Sequence, residues 1–103
     1  MNFNSGWQMA VIDWDRILKI ERFKKRSQDL RHDNPLLEDG DVVFIIAVNM
    51  ITPMNEVLNG KTPMAMVWMP AKGEYVHCPM DILHPICSEK DAIEMELKFN
   101  LKL

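Results

Sequence analysis

Two of the three histidines and both cysteines of the chain lie in one short stretch, YVHCPMDILHPIC, which spans residues 75–87. Cysteine and histidine are the usual zinc ligands, and a structural zinc site needs four such side chains that converge on one point. The four candidates are His77, Cys78, His84 and Cys87. A metal site is therefore the first hypothesis, and the spacing of these four residues tests it.

The spacing of these residues argues against zinc. His77 and Cys78 are neighbours in a predicted strand, so their side chains leave on opposite faces. His84 precedes a proline, which favours extended backbone, and in extended chain His84 and Cys87 also point to opposite sides. We therefore predict neither a metal site nor a cofactor. The residues predicted to lie in the core instead are Val76, Cys78, Leu83, Ile86 and Cys87.

The remainder of the sequence carries no catalytic motif. All four glycines stand alone, so no glycine-rich phosphate loop exists. Adjacent strand residues such as His77 and Cys78 cannot form a catalytic pair, because they face away from each other. We predict a non-catalytic protein, and an enzyme whose site no motif reveals remains a second alternative.

The first half of the chain predicts one strand and one helix. Residues 7–12, WQMAVI, form either a first strand or an anchored arm, and Asp13 and Asp15 are good helix starters. From Asp15 to Arg31 no glycine or proline interrupts the chain, and Asn34 before Pro35 ends the pattern. The residues predicted to pack this helix on the sheet are Ile17, Leu18, Ile20 and Phe23.

The second half predicts strands. Residues 42–48, VVFIIAV, are apolar on both faces, and residues 64–69 and 74–78 form two further strands joined by the tight connection PAKG. The clearest pattern is the C-terminal AIEMELKFNLKL, in which apolar and polar residues alternate strictly. The apolar members are Ile93, Met95, Leu97, Phe99, Leu101 and Leu103. This alternation predicts a long amphipathic strand, too long for a small barrel.

Three segments carry a family resemblance: DGDVVFI, PMAMVWMPAKGEYVHCP and PMDILHPI. Together they make residues 39–87 resemble the SH3-like barrels of the Tudor and KOW types, with a first strand, a central hairpin, and a short 3₁₀ turn before the last strand. The resemblance implies binding of protein, peptide or nucleic acid, and rarely catalysis. Methyl-lysine-reading Tudor domains use a cage of several aromatics, and we do not carry that cage over, because Phe44, Trp68 and Tyr75 are the only aromatics in this region.

The predicted fold is therefore mainly β with one N-terminal α-helix. It is a single domain over residues 1–103, with an N-terminal arm and helix at 7–32 and a small, partly open SH3-like barrel at 40–103 that includes the long C-terminal strand. One domain is the normal expectation for 103 residues.

The predicted function is that of a small binding or assembly module that acts through protein–protein contacts. The nine methionines suit adaptable apolar surfaces, and the long apolar strand needs a cover, which a second copy of the chain or a protein or peptide partner would supply. The predicted partner-binding residues are Trp68, Tyr75, His77, Ile93, Met95, Leu97, Phe99 and Leu101.

The alternative is nucleic-acid binding through the basic segment 16–31. The residues that would contact phosphates are Arg16, Lys19, Arg22, Lys24, Lys25, Arg26 and Arg31. At 100° per residue they spread around much of the predicted helix rather than forming a stripe. The acidic remainder of the chain, which brings the net charge to −3, would also repel a phosphate backbone.

The sequence also bears on location. The N-terminus has no basic stretch before a long apolar run, and the longest uncharged run, residues 42–55, is too short to span a bilayer. We expect a cytoplasmic protein with free thiols and no membrane partner. Its length is typical of the small reading frames of phages and bacteria.

Overall fold

A computed structural model describes residues 7–19, 31–32, 34–50 and 63–103, with only the backbone described at 18–19 and 49–50. The five strands are β1 (Gln8–Ile12), β2 (Val42–Met50), β3 (Met64–Met69), β4 (Glu74–Pro79) and β5 (Leu83–Pro85). Two 3₁₀ helices, Trp14–Lys19 and Met80–Ile82, follow β1 and β4, and the α-helix α1 (Glu89–Phe99) follows β5.

The strands form one antiparallel sheet in the order β4-β3-β2-β1-β5. β3 and β4 are a regular hairpin, in which Trp68 lies opposite Tyr75. The β2–β3 register shifts between Ile45 and Ala47, as at a β-bulge. β4 and β5 are the two ends of this order, so the five strands make an open sheet rather than a closed barrel.

One face of the sheet covers the larger core. Alternate strand residues point into it, as the period of two requires. Its fully buried members include Ala10, Ile12, Val43, Ala65, Val67, Met69 and Cys78. Trp14 and Ile17 of the first 3₁₀ helix and Ile82 of the second close this core. The indole Nε1 of Trp14 donates to the Leu37 carbonyl at 2.5 Å, so the burial of Trp14 leaves no polar atom of its ring unpaired.

The opposite, outer face is half covered by α1. Met95 of the helix is 2% exposed and packs with Met9 and Val11 of β1. Phe99 approaches Gly40, whose positive φ of 85° suits glycine and where an added Cβ would lie 3.2 Å from the Phe99 ring. β1 is therefore buried on both faces, which explains its almost uninterrupted apolar sequence.

The predicted C-terminal strand is wrong, because residues 89–99 form a helix. The segment is rich in Glu, Lys, Ala, Met and Leu, which favour helix. Ser88 caps it by accepting a hydrogen bond from the backbone N–H of Asp91, and Asn100 ends it in the left-handed conformation with φ 55°. The helix α1 thus lies at the C-terminus, where a strand was predicted.

The predicted N-terminal helix is likewise not confirmed as an α-helix. Residues 14–19 form a 3₁₀ helix, in which Asp13 accepts hydrogen bonds from the backbone N–H groups of Asp15 and Arg16. Ile17 is 1% exposed, as predicted for a packing residue. The predicted packing residues Leu18, Ile20 and Phe23 have side chains outside the described part of the chain.

The strands predicted at 42–48, 64–69 and 74–78 are confirmed, and a 3₁₀ turn precedes the short strand Leu83–Pro85. Cys78, Leu83 and Ile86 are buried as predicted, whereas Cys87 is exposed. Across the described residues, no helix is both long and apolar enough to cross a membrane.

Candidate functional site

Three aromatic side chains form a row across the middle of the sheet. Phe44 of β2 lies opposite Trp68 of β3, which lies opposite Tyr75 of β4. Directly opposed residues in antiparallel strands share a face, so all three stand on the outer face. The Trp68 and Tyr75 ring centroids are 4.6 Å apart with a tilt of 48°, within the range for an attractive aromatic pair.

This row runs from the covered half of the outer face to the open half. Phe44 packs against the residues under α1, Trp68 is half-buried, and Tyr75 is 58% exposed on the edge strand. His77, also exposed, lies opposite the half-buried Met66 in the next row. We call Met66, Trp68, Tyr75 and His77 the aromatic surface. Three of its members were predicted to bind a partner, and the structure brings them together.

The other predicted partner-binding residues lie on α1 or just after it, and the helix places them on different sides. Met95 is a core residue, and Phe99 and Leu101 pack around the same core. Ile93 and Leu97 lie one turn apart on the opposite side of the helix and are 48% and 81% exposed. The eight predicted residues therefore do not form one surface.

The basic residues predicted for nucleic-acid binding are described only in part. Arg31 is paired with Asp39 at 2.6 Å and lies 5.9 Å from the centroid of the Trp14 ring. Arg16 points its Nη1 at Nδ1 of His84, 2.9 Å away. Both guanidinium groups thus have partners within the chain. Of the remainder, Lys19 is described by its backbone alone, and the residues that lie outside the described part are Arg22, Lys24, Lys25 and Arg26.

The four sequence-predicted zinc candidates do not converge. Cys78 is fully buried in the larger core, and burial raises the pKa of its thiol far above the ordinary value. His77 and Cys87 are exposed and belong to no cluster of possible ligands among the described residues. His84 alone of the four lies in such a cluster, and its neighbours there are acidic.

That cluster joins β5 to the start of α1. His84 lies opposite Val11 and so stands on the outer face, beneath the first turns of the helix. Its Nε2 is 3.7 Å from Oδ1 of Asp91 and 3.5 Å from Oε2 of Glu94, two residues one helical turn apart. The other oxygen of Asp91 accepts a hydrogen bond from the backbone N–H of Cys87, which lowers the pKa of Asp91 below its ordinary value.

Sequence reasoning missed Asp91 and Glu94 because it placed both on a strand or just before one. On a helix they share a face, three residues apart. The signal that reveals the helix is Ser88 followed three residues later by an acidic residue, a pattern typical of helix starts.

Comparisons with known proteins give no match: no family model, no curated protein and no solved structure corresponds to this chain.

Proposed function

We propose that this protein is a small non-catalytic assembly module that binds a second copy of itself through β4 and the aromatic surface. The observation that carries the proposal is the position of Tyr75. Its ring packs against Trp68 at a tilt of 48°, yet 58% of the residue is exposed, and it lies on an edge strand. Aromatic residues on an open sheet edge are frequent anchors of protein interfaces.

The edge itself supports pairing. An edge strand presents unpaired N–H and C=O groups, and proteins protect such edges with lysine, proline, bulges or covering segments. Between Tyr75 and Cys78, β4 has no lysine and no proline, and its pairing with β3 shows no bulge. Within the described residues no strand pairs with its far side.

Two-fold symmetry fits this strand. A symmetric antiparallel pair places the same strand of both copies side by side, so one surface serves both partners. With the axis near Val76, Tyr75 of one copy lies opposite His77 of the other. Aromatic cross-strand pairs contribute about 0.2–1 kcal/mol each, and the two copies supply such a pair twice. The two sheets then join into one, with the aromatic surfaces adjacent on the same face.

We also propose that the fold belongs to the SH3-like class. The support is the strand order β4-β3-β2-β1-β5 and the 3₁₀ turn Met80–Ile82 before the short β5. Membership of that class would favour a binding role over catalysis. A protein or peptide partner in place of the second copy is the alternative occupant, because it could pair with the same edge.

Light scattering coupled to size-exclusion chromatography tests the proposal. At micromolar concentration the chain should elute with twice its 12.0 kDa mass. Tyr75→Lys should shift it to monomer, weakening association by at least about 10-fold, because it places a charge at the centre of the interface and removes an aromatic anchor.

The matched control is Leu97→Lys, which places the same charge at a more exposed apolar residue on the outer side of α1. This variant should remain a dimer. A monomeric wild-type protein would overturn self-association. A dimer that survives Tyr75→Lys but dissociates with Leu97→Lys would place the interface on the helix instead.

A further inference from the structure

We propose that His84, Asp91 and Glu94 form a binding site for a divalent transition-metal ion, with zinc the best fit. The three side chains offer one imidazole nitrogen and two carboxylate oxygens, and these atoms lie within 4.8 Å of one another. Zinc accepts this mixture of nitrogen and oxygen ligands, often with three protein ligands and an open fourth position. The site differs from the cysteine-containing set that the sequence suggests and is independent of the aromatic surface.

The distances suit a tetrahedral ion. Ligands about 2.0–2.2 Å from a tetrahedral zinc are separated from each other by about 3.4 Å. Nε2 of His84 lies 3.5 Å from the Glu94 oxygen and 3.7 Å from the Asp91 oxygen, and the two carboxylate oxygens, which lie within 4.8 Å of each other, would close around the ion. Asp91 can serve both roles, because the oxygen that caps the backbone at Cys87 is not the one that faces His84.

The surroundings hold the ligands in place. The His84 side chain is only 14% exposed and belongs to a paired strand, while Asp91 lies in the first turn of a capped helix. Glu94, at 57%, is the exposed ligand and leaves a route for the ion from solvent. A bound dication would balance the two carboxylates and tie β5 to α1.

Arg16 competes with the metal for the histidine. Its guanidinium can only donate, so the 2.9 Å contact makes Nδ1 of His84 the acceptor and leaves the ring proton on Nε2, facing the carboxylates. A metal ion on Nε2 requires the other tautomer, with the proton on Nδ1. Metal binding must therefore break the Arg16–His84 hydrogen bond. Replacing Arg16 by Gln, whose side-chain oxygen can accept from Nδ1–H, should strengthen binding.

Isothermal titration with zinc chloride, after chelator treatment and dialysis, tests the site on the full chain. We expect saturable one-to-one binding, visible d–d bands with cobalt(II) in the same position, and a rise in melting temperature on zinc addition. Glu94→Gln should weaken zinc affinity by at least about 10-fold, and Arg16→Gln should strengthen it by about as much. Calcium and magnesium should not compete, because they require six or more oxygen ligands.

Two matched variants control this experiment. Glu89→Gln removes the same charge from an exposed position on the same helix and should leave affinity within about 2-fold, since longer-range charge effects are screened. Cys87→Ser should also leave zinc affinity unchanged. Absence of saturable zinc binding, equal weakening by Glu94→Gln and Glu89→Gln, or loss of binding with Cys87→Ser would each overturn the site. None of these outcomes bears on dimerisation through β4.

Discussion

Asp13 illustrates how a buried charge is accommodated by residues far away in the chain. It is 4% exposed, and both of its carboxylate oxygens accept hydrogen bonds from the ammonium group of Lys98, at 2.9 and 3.0 Å. Lys98 also lies 3.1 Å from Asp15. The contact fixes α1 to the start of the first 3₁₀ helix. A buried carboxylate without an opposite charge is costly, so Lys98 stabilises ionised Asp13, whose Oδ1 also accepts from the backbone N–H of Asp15.

Lys98→Met should therefore lower the free energy of unfolding by about 1–2 kcal/mol at neutral pH. The range lies below the full cost of an unpaired buried charge, because 36% of the Lys98 side chain is exposed and water screens the pair. Urea denaturation measures the change. Lys102→Met, at an exposed lysine after the helix, should cost less than about 0.5 kcal/mol.

The same pair predicts a pH dependence. The hydrogen bond to Asp13 raises the pKa of Lys98 above its ordinary value of 10.5, and this outweighs the opposing effect of burial. A raised lysine pKa gives stability that is fully present below the ordinary value and is lost as the pH rises through the raised one. The stability difference between wild type and Lys98→Met should thus be constant near neutrality and shrink above pH 10.5. A difference that grows with pH would contradict the ion pair.

At the scale of elements, α1 shows how one apolar pattern can suit two structures. Ile93, Met95, Leu97 and Phe99 alternate with polar residues, which is typical of a strand. The same four residues also form two pairs spaced four apart, and each pair lies on one side of a helix. The Met95–Phe99 pair packs on the sheet and the Ile93–Leu97 pair faces outward. The Ser88 cap and the helix-favouring composition select the helix.

This difference in packing can be measured. In a strand, Met95 and Leu97 would share one buried face and cost similar amounts when truncated. In the helix, Met95→Ala should lower the free energy of unfolding by about 2–4 kcal/mol, whereas Leu97→Ala should change it by less than about 0.5 kcal/mol. Chemical denaturation of both variants distinguishes the helix from the strand. Equal losses of stability would indicate a strand.

Structure is predicted correctly from the sequence where the residue pattern of a segment fits only one type of secondary structure. The apolar run of β2, the hairpin around PAKG and the burial of Cys78 follow from residue type and turn chemistry, and the structure confirms them. Prediction fails at α1, where the apolar alternation also fits a strand and the Ser88 cap was overlooked, and at the 3₁₀ helix that begins at Trp14. Three of the four residues of the aromatic surface, Trp68, Tyr75 and His77, were predicted from the sequence, and Met66 was not. The cluster around His84 was not predicted, because it forms only when a helix places Asp91 and Glu94 over β5.

At the scale of the whole molecule, β1 is a strand that contacts several other parts of the fold. It lies between β2 and β5 in the sheet, under α1 on one face and over the larger core on the other. Val11, for example, lies opposite Val42 of β2 on one side and His84 of β5 on the other. The β3–β4 hairpin, by contrast, joins neighbours in sequence. The molecule therefore combines one local unit, the β3–β4 hairpin, with an interior strand, β1, whose partners are all distant in sequence.

Folding rates should reflect this division. Contacts between distant residues form late because closing the intervening chain costs entropy, whereas a hairpin can form early. Val67→Ala, in the hairpin, should mainly slow folding, and Val11→Ala should mainly accelerate unfolding, with both losing about 2 kcal/mol of stability. Stopped-flow measurements across a range of urea concentrations separate the two effects. The opposite assignment would place β1 in the folding nucleus.

The position of β1 between β2 and β5 also has a consequence during synthesis. β1 leaves the ribosome before the other four strands, yet Ile12 cannot pair with Leu83 until β5 has also emerged. Until then Met9 and Val11 have no helix to cover them, and the nascent chain presents an apolar, pairing-competent segment to its surroundings. We expect nascent chains stalled before β5 to be captured by chaperones and cut readily by proteases, whereas chains in which β5 and α1 have emerged should bury β1 and lose that exposure.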